Sequence, residues 1–248
     1  MLNPQQMAAV KYIDGPLLVL AGAGSGKTSV ITQKIAYLIT TCRYAASSIC
    51  AVTFTNKAAN EMRSRVGVLL PAAQRRGLKV ATFHTLGLSI IKKHTALCHL
   101  KKGFSIFDSE DCLTILRGFL PANKASEREV LYQIQQLISR WKNDLLSPDE
   151  VMKKTADAPM HEEAALLYPR YQQALRSYNA VDFDDLIRLP VELLTTHSDV
   201  LEYWQNKFRH ILVDEYQDSN TSQYLFIKKL VGIRAHFTVV GDDDQSIY

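Results

Sequence analysis

The sequence predicts an α/β fold: a parallel sheet covered by helices, with an all-helical segment inserted between its third and fourth strands. Three observations point there. Short apolar runs alternate with longer stretches of helical periodicity, the pattern of a parallel sheet with helical crossovers. The first run leads into a glycine-rich turn and then a helix. More than 100 residues between the third and fourth runs carry almost no strand signal. That is too long for a structureless connection inside a compact domain.

Taken in order, residues 16–21 read as a buried strand and 27–40 as the helix after the turn. Residues 49–54 form a second strand, 56–69 a helix, and 79–83 a third strand. The inserted segment reads as helices at 84–97, 108–119, 126–143, 148–155, 161–179 and 182–196. Residues 210–214 and 236–241 complete the sheet as fourth and fifth strands. Within the insertion, Tyr168, Tyr171 and Tyr178 are expected on a core-facing helix stripe. Asp182, Asp184 and Asp185 are expected to complement a helix N-terminus. His94, Cys98 and His99 read as helix packing, since no fourth ligand with zinc-like spacing accompanies them.

Composition narrows the class. Of 248 residues, 47% are hydrophobic and 22% charged, which excludes a disordered chain, a collagen-like repeat and a disulfide scaffold. No uncharged apolar run is long enough to span a membrane, and the N-terminus lacks a basic region followed by an apolar one. Cys42, Cys50, Cys98 and Cys112 form no C-x-x-C pair and read as reduced thiols of a cytoplasmic protein. The net charge of +4 is unevenly spread: residues 1–102 carry +12 and residues 103–248 carry −8. Ten of the basic residues fall within 57–102, beside a single acidic one. That bias suits a phosphate-backbone partner, although a solvated basic face would look the same.

Two motifs carry chemistry on their own. Ala21-Gly22-Ala23-Gly24-Ser25-Gly26-Lys27-Thr28 follows a strand and opens a helix, the context a phosphate-binding loop requires. Its glycines let backbone N–H groups converge on phosphate oxygens at a helix N-terminus. Lys27 is expected on the β- and γ-phosphates and Thr28 on Mg²⁺. Leu212-Val213-Asp214-Glu215 ends a strand in two carboxylates. Asp214 is the candidate Mg²⁺ ligand, and Glu215 the group that orients and deprotonates an attacking water. Gly241-Asp242-Asp243-Asp244-Gln245 ends the last strand; Gln245 is a candidate γ-phosphate sensor, while Asp243 and Asp244 read as a solvated turn.

In combination these motifs resemble superfamily 1A DNA helicases of the UvrD/Rep type. Leu2-Asn3-x-x-Gln6 resembles their Q motif, the phosphate loop motif I, and Thr53-Phe54-Thr55-Asn56-Lys57-Ala58-Ala59 motif Ia. Thr82-Phe83-His84-Thr85-Leu86-Gly87 resembles the next DNA-contacting motif, residues 213–218 motif II and residues 240–248 motif III. Trp141-Lys142-Asn143-Asp144-Leu145 and Asp182-Phe183-Asp184-Asp185-Leu186 fit the same family. The position after Thr28 is Ser29, where the family usually carries an arginine.

The resemblance implies a RecA-like P-loop NTPase sheet, domain 1A, formed by 1–84 and 196–248. It implies an all-helical domain 1B at 85–195. It further implies ATP and Mg²⁺ as cofactors, with Gln6 on adenine. Phe54, Asn56, Lys57, Thr82, Phe83 and His84 would line the track of single-stranded DNA. Without the resemblance, Phe54 and Phe83 read as core residues and His84 as an ordinary structural histidine. The implied activity is ATP-driven 3′–5′ translocation with duplex unwinding in replication or repair. Implied partners are single-stranded DNA, single-strand/duplex junctions and replication proteins, with no membrane. The protein would act as a monomer or a DNA-induced dimer, associated with the nucleoid. The chain stops at Tyr248, within motif III, and reads as an N-terminal part of a longer protein. Two rivals stay open: the helicase part of a recombination helicase–nuclease, and a non-catalytic DNA- or partner-binding module.

Overall fold

The computed structural model describes residues 2–22, 24–121, 127–154, 159–232 and 235–242. Its contacts divide the chain into two compact units, 1–86 with 194–248, and 87–193.

The first unit is built on a five-stranded parallel sheet. Its strands are β1 (Leu17–Leu20), β2 (Ile49–Thr53), β3 (Lys79–Thr82), β6 (His210–Val213) and β7 (His236–Gly241). Their spatial order is β1-β7-β6-β2-β3. Every residue of β2 and β6 is buried, as expected of strands covered on both faces. β1 lies at an edge, and its Leu18 and Leu20 are exposed. Register fixes the strand ends: Leu20 faces Gly241, and Val52 faces Val213.

Helices α1 (Pro4–Lys11), α2 (Lys27–Thr40) and α3 (Asn56–Leu69) belong to this unit. Ile31, Ile35 and Leu38 of α2 meet Met62 and Val66 of α3 in one core with Ala51, Leu212 and Val240 of the sheet. Ala59, Met62 and Val66 recur at helical spacing and form the buried stripe of α3. Thr55 caps that helix by accepting from the Ala58 N–H at 3.1 Å. α4 (Phe83–Lys93) opens from Thr82, whose hydroxyl accepts from the Thr85 N–H at 3.2 Å. α10 (Ser198–Lys207) and α11 (Thr221–Leu230) complete the unit, with Trp204 and Phe226 buried.

The second unit contains α5 (Ser109–Arg117), α6 (Arg128–Asn143), α7 (Pro148–Lys154), α8 (Pro159–Ser177) and α9 (Asp185–Thr196). Leu131, Ile134, Ile138 and Trp141 line one side of α6 and join Tyr168, Tyr171 and Leu175 of α8 in its core. A parallel pair of two-residue strands, β4 (Ser105–Ile106) and β5 (Ala180–Val181), also lies here. Such short strands are too brief to produce periodicity in a sequence. Gly87 is required by close approach: a Cβ there would lie 1.8 Å from the Leu186 carbonyl oxygen.

Two expectations for this unit need correction. Tyr178 is 65% exposed at the end of α8, its ring 5.9 Å from Phe107, so it is no core residue. The Asp182–Asp185 segment does more than complement a helix dipole. Lys142, fully buried, pairs with Asp182 at 2.5 Å and Asp185 at 3.0 Å. The Tyr171 hydroxyl donates to Asp182 at 2.8 Å, and Arg188 donates to Asp185 at 3.0 Å. The Asp182 carboxylate also accepts the Asp185 N–H at 2.9 Å, and Asn143 donates to Asp184 at 2.9 Å. Two segments some 40 residues apart thus meet through one buried ion network. Burial opposes ionisation of Asp185, yet Lys142 and Arg188 hold its carboxyl down to about 2.

Removing one partner of a buried ion pair strands the other charge. Lys142→Met is therefore expected to destabilise the helical unit by about 3–5 kcal/mol. Urea unfolding followed by helical circular dichroism checks this; a loss below ~1 kcal/mol would mean that the network is not structural.

Candidate functional site

All five strands are parallel, so their carboxyl ends lie along one edge of the sheet. In spatial order that edge presents the turn after β1, Asp242 after β7, Asp214 after β6, Phe54 after β2 and Phe83 after β3.

The turn after β1 is held to the sheet by the Ala21 N–H, which donates to the Gly241 carbonyl at 3.0 Å. Ser25 N–H donates to the Gly22 carbonyl at 3.2 Å and rounds the loop. Gly26 precedes α2 at φ +85°, a conformation that strains any residue with a Cβ. It brings no side-chain cap to α2, so the N–H groups of the first turn are left for a ligand. This is the physical basis of an anion site at a helix N-terminus. Ala23 lies outside the described residues.

Lys27 Nζ pairs with Asp242 at 2.9 Å, and Asp242 is 1% exposed. Thr28 donates its hydroxyl to Asp214 at 3.3 Å. Asp214 also accepts the Glu215 N–H at 3.1 Å. Burial, with the Glu215 charge beside it, holds the Asp214 carboxyl above the usual carboxylate range. Glu215 is exposed and sits at φ +53°, left-handed backbone that a non-glycine residue adopts only at a cost. Gln245, Asp243 and Asp244 lie outside the described residues.

Asp242 was not singled out in the sequence. The signal was present, because it ends β7 as Asp214 ends β6. What was missing is the neighbour relation: β7 lies between β1 and β6, which puts Asp242 against Lys27. Gln217 was missed as well; its carboxamide oxygen accepts the Asp242 N–H at 3.1 Å.

Gln6 lies on α1, whose N-terminus is closed by a reciprocal capping box between Asn3 and Gln6. The Gln6 carboxamide donates to the Ser25 carbonyl at 2.7 Å. A Cβ on Gly26 would lie 3.1 Å from the same nitrogen. Gln6, Leu20, Ser25 and Lys27 contribute to a cavity of about 170 Å³. Gln6 thus borders the phosphate loop although some 20 residues separate them.

The donor set suits Mg²⁺. Thr28 and Asp214 offer hard oxygens, and Mg²⁺ bound with a nucleotide takes most of its ligands from phosphates and water. Among the described residues, no cluster of three or more His, Cys, Asp or Glu could hold a metal alone.

The residues at the other end of the edge divide into two groups. Asn56 and Lys57 are exposed on the first turn of α3, and Phe54 is half-buried beside them. Phe83 is 1% exposed and its ring lies 5.1 Å from that of Phe54. It backs the Phe54 ring. Thr82 is buried, and its hydroxyl is engaged with Thr85 at the start of α4. His84 is half-buried, and burial lowers its pKa, which favours the neutral ring.

The profile of the UvrD/REP helicase N-terminal domain matches residues 2–248. Over its whole length the sequence is 53% identical to ATP-dependent DNA helicase Rep of Escherichia coli (strain K12), covering 37% of that protein. It is 52% identical to ATP-dependent DNA helicase Rep of Salmonella typhimurium, covering 36% of it. It is 41% identical to ATP-dependent DNA helicase PcrA of Bacillus subtilis (strain 168), covering 33% of it. The chain therefore spans about a third of the length of these curated relatives.

The Lys27–Asp242 pair competes with any anion for the same ammonium. Asp242→Asn is expected to raise affinity for metal-free tripolyphosphate about fivefold, and Gly26→Ala to lower it by at least as much. Calorimetric titration reads both; a weaker Asp242→Asn complex would mean that the carboxylate organises the loop instead of competing with the ligand.

Proposed function

The chain belongs to the UvrD/REP helicase N-terminal domain family, and from that premise we propose that it forms the ATP- and single-stranded-DNA-binding part of a 3′–5′ DNA helicase. The observation that carries this reading is the meeting of Lys27, Thr28, Asp214 and Asp242 beneath an uncapped helix N-terminus. In this reading 1–84 with 196–248 form domain 1A, and 85–195 form domain 1B.

The proposed chemistry starts with exchange of partners. Lys27 leaves Asp242 for the β- and γ-phosphates, while the first N–H groups of α2 hold the remaining phosphate oxygens. Gln6 presents its carboxamide to adenine. Thr28 and Asp214 would hold Mg²⁺, which supplies neutralisation of phosphate charge. Glu215, exposed at the end of β6, orients the attacking water and accepts its proton. Gln245 reports loss of the γ-phosphate along the strand that carries Asp242.

On the DNA side, Phe54 offers a ring face to a base, and Asn56 and Lys57 hold the backbone with an amide and a charge. The basic bias of residues 57–102 adds a sequence-independent attraction. Substrates in this reading are single strands and their junctions with duplex. The enzyme works in the bacterial cytoplasm on the nucleoid, alongside replication proteins, as a monomer or as a dimer assembled on DNA. No described helix is long and apolar enough to cross a membrane.

Two outcomes test the proposal. In the full-length protein, Lys27→Ala is expected to reduce DNA-stimulated ATP hydrolysis at least about 100-fold, whereas the 248-residue chain alone binds nucleotide with little or no turnover. Full turnover by the Lys27→Ala protein would overturn the assignment of the loop. Phe54→Ala is expected to weaken oligothymidylate binding by about 1–3 kcal/mol. Fluorescence anisotropy checks this, and unchanged affinity would remove Phe54 from the track.

A further inference from the structure

Lys34 is fully buried, yet among the described residues no carboxylate lies within ion-pair distance of it. Its ammonium instead donates to the Ala9 carbonyl at 2.9 Å and the Tyr12 carbonyl at 2.5 Å. These oxygens stand at the C-terminal end of α1, where helical carbonyls lack partners and a cation is favoured by the helix dipole. Lys34 therefore caps a helix other than its own.

That cap matters because α1 has little else to hold it. Val10 is the one buried residue in the helix, and Met7 and Tyr12 are exposed. Apolar burial of one valine is a small anchor for a whole helix. Two polar anchors fix the helix instead. Gln6 reaches the Ser25 carbonyl at one end, and Lys34 holds the carbonyls at the other. Gln6 and Ala9 are three residues apart, about one turn, so a displacement of the capped end moves Gln6.

Lys34 also lies seven residues after Lys27 on α2, which places both on the same side of that helix about 10 Å apart. One helix thus carries the phosphate ligand at its start and the anchor for the Gln6 helix two turns later. We propose that Lys34 is a positioning residue that fixes the distance between the base and phosphate subsites and so sets nucleobase selectivity. The proposal rests on the reading that Gln6 contacts adenine.

The experiment compares the 248-residue chain with its Lys34→Met, Lys34→Arg and Gln6→Ala variants. Displacement of a fluorescent nucleotide gives affinities for ATP, GTP and tripolyphosphate. Lys34→Met is expected to lose about tenfold in ATP affinity, to bind tripolyphosphate within about twofold of the parent, and to lose most of the ATP-over-GTP preference. Lys34→Arg, which keeps charge and donors, is expected to restore that preference. Equal losses for ATP and tripolyphosphate, or an unchanged preference, would overturn the proposal. Gln6→Ala separates the two ideas. If it removes the preference while Lys34→Met does not, the role of Lys34 alone fails. If Gln6→Ala leaves the preference intact, the reading of Gln6 fails and the proposal with it. Should Lys34→Met not fold, Lys34→Gln, which keeps one donor group, is judged by the same outcomes.

Discussion

Parallel pairing is the constraint on which the rest of the first unit depends. Once β1, β7, β6, β2 and β3 run in one direction, five loops must leave the sheet on one side. The order of the strands then decides which loops are neighbours. β7 stands beside β1 and β6 comes next, which gives Lys27 and Thr28 their carboxylates. β2 and β3 stand beyond them, which puts Phe54 and Phe83 side by side at the other end. In the proposed reading, the nucleotide site and the DNA-facing surface are therefore built from one row of strand ends. Asp214 belongs to the strand that separates them, and its own N–H donates to the Val52 carbonyl of β2 at 3.0 Å.

Much of this was legible in the sequence because the sheet strands are apolar and the longer helices have clear stripes. α2 and α3 occupy the ranges their periodicity predicts, 27–40 and 56–69. The sheet strands differ from expectation by a residue or so at their ends. What escaped has identifiable causes. α1 was not read as a helix because a single buried valine leaves no stripe to see. Local reading of Asp182, Asp184 and Asp185 found a helix start; their partners, Lys142 and Asn143, become neighbours only in the fold. The motif that holds Phe83 did not show that its ring is buried against Phe54.

The two buried lysines show how differently one side chain can be accommodated. Lys142 stands between two carboxylates, and their attraction outweighs burial, so its pKa is raised. Lys34 has carbonyl dipoles for company, and burial brings it down to about 8. The first lysine joins two segments of the helical unit through full charges. The second orients a lightly packed helix through partial ones. Both are pinned by groups distant in sequence, so neither role shows in a local pattern of residues.

The pairing of Lys27 with Asp242 makes the resting loop electrically satisfied. A phosphate arriving there would displace an anion already in place and would not fill a vacant positive hole. The net gain is then a small difference between two large attractions. Gln217, bonded to the Asp242 backbone, ties that end to the segment after Glu215. The acid that holds Lys27 and the segment that follows Glu215 are thus linked through a single side-chain amide.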